Sequence, residues 1–149
     1  MILAVLIAQA DPHESTPQEL TFCASGQSDK SERFCLADRK GERAERELSA
    51  ALAQARRGAL AQKREIARFS RENGGVTLGG DSVRALEASQ KAWKTSYIAD
   101  CGVVGLAVAT GNAGTEGVTA QMECVADRTL DRARFLHQTF PGGDDHIVP

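Results

Sequence analysis

At 149 residues the chain has room for one domain with a modest core. Its formal net charge of −2, with acids and bases mixed along the sequence, leaves no basic footprint for nucleic acid or an anionic membrane surface. A single Trp, a single Tyr and few β-branched residues favour helices over a β-sandwich.

The chain opens on an uninterrupted apolar run at 2–8, then Ala8-x-Ala10, the small-residue pattern that signal peptidase accepts, then Asp11-Pro12. Residues 1–10 are therefore expected to be a signal peptide, truncated because no Lys or Arg precedes the apolar run. A membrane-spanning helix needs about 20 apolar residues, so no integral membrane segment is expected. Residues 11–27 read as a polar N-terminal segment in which Pro12 and Pro17 discourage regular helix. Leu20-Thr21-Phe22-Cys23 places Phe where a lipidation box needs a small residue.

From Ser28 the spacing predicts a long first helix, with Ser28 or Asp29 as its N-cap. Phe34, Ala37, Gly41, Ala44, Leu48, Leu52, Ala55, Ala59, Ile66 and Phe69 form a stripe along one face. Gly41 and Gly58 each cost a helix about 1 kcal/mol relative to Ala, and the stripe continues through both. The interleaved acids and bases on this helix read as surface pairs rather than as catalytic carboxylates. Asn73-Gly74-Gly75 supplies the stop.

A second helix is predicted to start at Asp81 or Ser82 and to present Val83, Leu86, Gln90, Trp93, Tyr97, Cys101 and Val104 on one face. Trp93, the largest apolar group, is expected to anchor the core, its indole N–H bonded to a Gln or a carbonyl. Residues 105–117 are rich in Gly, Ala and Thr and read as an interhelical loop, since they hold neither Gly-Lys-Ser/Thr nor Gly-x-Gly-x-x-Gly. A third helix follows at about 117–139, with Val118, Met122, Val125, Leu130, Phe135 and Leu136 as its apolar surface. Pro141-Gly142-Gly143 ends it, leaving 141–149 as a flexible tail. The expected fold is all-α, a small antiparallel three-helix bundle over 28–140 with a long first helix and two disulfides.

Cys23, Cys35, Cys101 and Cys124 are even in number and contain no Cys-x-x-Cys, so a zinc site or redox dithiol is a poor reading. Two structural disulfides in an oxidising, periplasmic or secreted setting fit better. Three pairings are conceivable; Cys23–Cys35 with Cys101–Cys124 is preferred because each closes a short loop beside a helix end. No cofactor or metal is expected. His13 lies before the helical domain, His137 ends the last helix and His146 lies in the tail, and none stands beside a Ser, Cys or carboxylate in a recognisable catalytic arrangement.

Several of these residues fall in one register. Cys23 and Cys35 are followed by Glu47-Leu48, by Gln90-x-x-Trp93 with Cys101, by Gly114-Thr115, and by Cys124, Thr129, Arg132 and Leu136. Over roughly 23–136 this order resembles the lysozyme inhibitor LprI-like N-terminal domain family, small exported bacterial proteins. Many members carry Phe/Tyr-Arg-Asp between the Trp and the next Cys; here Ser96-Tyr97-Ile98 stands in that interval, so a buried Arg–carboxylate pair is not expected at these positions. The resemblance implies a binding protein rather than an enzyme, with lysozyme or another cell-envelope protein as partner. Two Gly-rich connections, 73–81 and 105–117, are the candidate plugs for a lysozyme cleft. The alternative is a cell-envelope interaction or stress protein that does not inhibit lysozyme.

Overall fold

Alanine forms the central seam of this protein. In the computed structural model, which describes residues 11–25, 31–75, 80–109 and 114–141, four helices follow one another. They are α1 (Pro17–Ala24), α2 (Glu32–Glu72), α3 (Ser82–Ala109) and α4 (Thr115–Thr139). Ala44 packs with Ala126 and Leu130, while Ala51, Ala55 and Ala59 pack with Leu86, Ala133 and Leu136. Side chains this small let two helices approach closely over several turns, so a thin core still excludes water. The ion pairs Arg33–Glu123 and Lys40–Asp127, and the seat of Phe140 on Gly58, show that α2 and α4 run in the same direction. With α3 returning antiparallel, the bundle is up-down-up.

The chain is all-helical among the described residues, but the helix count exceeds the expectation by one. Pro17, expected to discourage regular helix, is instead the first residue of α1. Pro is well suited there because a first-turn N–H has no intrahelical partner. Thr16 and Glu19 complete a capping box, the Thr16 hydroxyl accepting from the Glu19 N–H and the Glu19 carboxylate from the Thr16 N–H. The N-cap of α2 is Ser31, not Ser28 or Asp29, and the latter two lie outside the described residues. Asp81 caps α3 by accepting from the N–H groups of Val83 and Arg84. The proposed signal segment 1–10 and tail residues 142–149 also lie outside the described residues.

Cys23 is bonded to Cys35 and Cys101 to Cys124, with Cα–Cα separations of 5.7 and 5.6 Å. The Arg33–Glu123 pair brings these two cross-links to the same level of the bundle. Just beyond the second cross-link α3 and α4 meet backbone to backbone. A Cβ on Gly117 would sit 2.7 Å from the Gly105 carbonyl oxygen and 2.9 Å from Ala109 Cβ. Residues 105–109 are thus the last turn of α3 rather than part of a loop, and α4 begins at Thr115, after Gly114 at φ +92°.

Several residues expected on the apolar faces lie elsewhere, the exposed Val104 and Val118 among them. Lys63 pairs with Asp81, so α3 starts level with Lys63 and the end of α2 continues past it, carrying Ile66 and the exposed Phe69. Phe135 is likewise half exposed. Among the described residues no helix is long and apolar enough to cross a membrane.

Candidate functional site

Four of the motif residues converge on one side of the bundle. Leu48 from α2, Gln90 and Trp93 from α3 and Thr129 from α4 line a half-open groove of about 350 Å³. Leu52, Val125 and Ala126 extend its apolar surface, and Glu45, Ser49 and Lys94 supply polar groups. The reason for an opening here is geometric. The alanine seam draws α2 and α4 together, while α3 leans mainly on α4 and buries only Leu86, Cys101 and Gly105. Gln90, Trp93 and Tyr97 are left at the mouth of the resulting cleft.

Trp93 is therefore a wall of the groove and only partly buried, which corrects its expected place in the core. Its ring lies against Tyr97 with centroids 4.4 Å apart. Neither the Trp93 indole N–H nor the Gln90 amide NH2 is hydrogen-bonded to a described residue. Because no side-chain polar atom among the described residues is both buried and unpartnered, both donors reach solvent. Burial, and then the nearby Glu45 carboxylate, push the Tyr97 phenol above its ordinary pKa.

Behind this wall Arg132 is 92% removed from solvent, at 8% relative exposure. Its Nε donates to Gln90 Oε1 at 3.0 Å and its Nη2 to Ser89 Oγ at 2.9 Å, both neutral acceptors. The guanidinium also lies 5.1 Å from the Phe135 ring centroid and 5.7 Å from that of Trp93. Burial without a carboxylate partner lowers its pKa from the usual guanidinium value. Arg132 thus fixes the Gln90 side chain and backs the Trp93 ring, a positioning role for the groove wall.

The remaining motif residues have structural surroundings. The Thr129 hydroxyl donates to the Val125 carbonyl while Leu136 is fully buried in the seam. Gly114 and Thr115 open α4, and the Thr115 carbonyl accepts from the Thr119 hydroxyl. Glu47 is exposed and lies 3.7 Å from Arg43.

Arg43 is a residue that sequence reasoning passed over. Its guanidinium donates to the carbonyls of Pro12 and Glu14 and to the Glu19 carboxylate, pinning the N-terminal segment onto α2. Burial raises the Glu19 pKa, but hydrogen bonds from Thr16 and Arg43 outweigh it and leave the carboxyl below its ordinary value. His13, expected to lie before the domain, bridges Asp127 at 2.9 Å and Asp131 at 3.1 Å on α4. Asp127 is raised by burial and lowered further by Lys40 and His13, with a net depression. His137 bonds the Gln54 side chain at 3.0 Å. Among the described residues no three His, Cys, Asp or Glu side chains are grouped to hold a metal ion.

No curated protein and no solved structure matches this chain. The family model described as Lysozyme inhibitor LprI matches residues 13–136, a span that starts at the histidine clasped by α4 and ends at the buried Leu136. The chain belongs to the LprI lysozyme inhibitor family.

Proposed function

We propose that this protein is an exported binding protein that inhibits lysozyme by occluding its substrate cleft, and that it performs no catalysis of its own. The family match over residues 13–136 carries this reading. Two disulfides suit an oxidising compartment, periplasmic or extracellular, and a cleaved segment 1–10 would deliver the chain there. The mechanism is steric and electrostatic. Lysozyme works with two carboxylates in a cleft, so an inhibitor has to fill that cleft and cover those charges. A disulfide-braced bundle does so at a small ordering cost, because its surface is already held in shape. Nothing in this reading calls for a nucleic acid, a cofactor or a metal.

A second reading is an envelope interaction protein that leaves lysozyme active. The exposed apolar end of α3, with Val103 at 65% and Leu106 at 71% exposure, favours it, because such a surface suits a protein partner with an apolar patch. Titrating chicken-type and goose-type lysozymes through equivalence with oxidised protein starting at Asp11 separates the two. Activity falling to zero at a stoichiometric ratio supports inhibition; full activity in large excess contradicts it and leaves the envelope reading.

A further inference from the structure

The groove does not end at Glu45. On the other side of Gly41 a second hollow of about 370 Å³ runs between α2 and the start of α4, walled by Val118, Met122 and Val125 and edged by Asp38 and Glu42. The two hollows share Gly41, Glu45 and Val125, so they form one trough that runs along α2 past Gly41 and faces α4 throughout.

Gly41 is the feature that needs an explanation. A glycine inside a helix costs stability through backbone entropy, and usually some close approach compensates for it. The other glycine of α2, Gly58, is covered by Phe140, whose Cδ1 would lie 3.0 Å from an added Cβ. At Gly41 an added Cβ would meet nothing within 4 Å, and its φ is not positive. Neither packing against the described residues nor backbone conformation requires glycine there. What the missing side chain does is keep the floor of the trough low where its two halves join.

The charges along the trough are one-sided. Asp38, Glu42 and Glu45 edge it from α2, and Glu42 is partly answered by Arg39 at 3.0 Å. Glu45 forms no ion pair among the described residues and stands beside the Tyr97 ring. Lys94 is the single cation among the lining residues, at the Trp93 end. An acidic edge, an apolar wall and an aromatic face together suit a basic segment with apolar neighbours; an anionic lipid or nucleic acid would be repelled.

We propose that this trough is the partner-docking site. A basic, apolar-flanked segment of a protein passes over Gly41, lodges a cationic side chain between Glu45 and Tyr97, and rests its apolar residues on Val118, Met122 and Val125. The proposal rests on the reading that the protein acts by binding, and it names the chemistry of the partner surface.

Gly41→Leu and Glu45→Lys test it, with Gly41→Ala as a stability control. Two probes are titrated separately: chicken-type lysozyme by calorimetry, and a short synthetic Leu/Arg peptide, with a Leu/Glu peptide as counterpart, by the emission of Trp93. The proposal expects saturable binding of the Leu/Arg peptide but not the Leu/Glu peptide, weakened at least about tenfold by Gly41→Leu and by Glu45→Lys. It also expects Gly41→Ala to raise the melting temperature by a few degrees, since the site asks nothing of glycine for folding. Peptide binding without lysozyme binding supports the trough and removes lysozyme as its partner. Lysozyme binding unchanged in both variants overturns the trough and leaves the family function standing. Absence of saturable peptide binding, or a lowered melting temperature in Gly41→Ala, also overturns it. Glu45 is exposed, so its variant keeps the test decisive even if Gly41→Leu folds poorly.

Discussion

Two stretches of the same face of α2 behave in opposite ways. From Ala44 to Ala59 small side chains close the helix against α4, and every buried position there is an alanine. One turn earlier, at Gly41, an even smaller residue leaves the face open. Small residues close an interface only where a second helix arrives to fill the space. Where α4 turns the exposed Val118 and the partly buried Met122 toward the gap, the same economy of volume produces a cleft.

That contrast can be broken first at its closed end. Leu136→Ala removes a fully buried side chain from the seam and is expected to cost about 2–5 kcal/mol, measured by denaturant unfolding. A loss below about 1 kcal/mol would mean that the seam does not hold the fold. Replacing Cys101 and Cys124 together by Ser is expected to cost a comparable about 2–5 kcal/mol, because the cross-link braces the α3–α4 crossing. Gly117→Ala should destabilise by about 1–3 kcal/mol, since its new methyl would meet the Gly105 carbonyl and Ala109, neither of which can yield without moving a helix.

The open end should respond more weakly. Trp93→Ala is expected to cost about 1–2 kcal/mol in unfolding measurements, less than the about 3–5 kcal/mol of a core aromatic truncation, because part of the ring already faces water. A loss in the core range would put the ring back inside.

The smallest effect is one of pH. Glu19 and Asp127, which tie the N-terminal segment and α4 to α2, are held below their ordinary values of 4.5 and 3.8. Their contribution is therefore complete above those values and is lost as pH falls through the lower folded-state values. Thermal melts between about pH 6 and 3 should show Glu19→Gln losing less stability on acidification than the unaltered protein; parallel curves would contradict the clasp.

Much of this architecture was legible from periodicity. The long α2, the stop at Asn73-Gly74-Gly75 and the two short-loop disulfides follow from spacing and turn chemistry. α1 is hard to read from sequence although Thr16-Pro17-x-Glu19 carries its capping box, because a Pro can break a helix as well as start one. Trp93 was misplaced because size and helical phase put it on the inner face of α3. They do not reveal that α3 enters the core through Leu86 near its start and that the alanine seam between α2 and α4 leaves Trp93 at the edge. Gly41 appeared in the stripe by spacing, but its role depends on what lies opposite, and only the packed helices show that nothing does. Arg43 and His13 make contacts across 24 to 118 residues of sequence, a range that local patterns do not encode.

The most direct test of the account follows the Trp93 indole N–H, the only indole in the chain, by heteronuclear NMR as unlabelled lysozyme is added. The account predicts that this one resonance shifts or broadens up to equivalence, along with the amides around Gly41, while those around Gly58 stay in place. Inhibition of lysozyme with the Trp93 and Gly41 signals unmoved would contradict it.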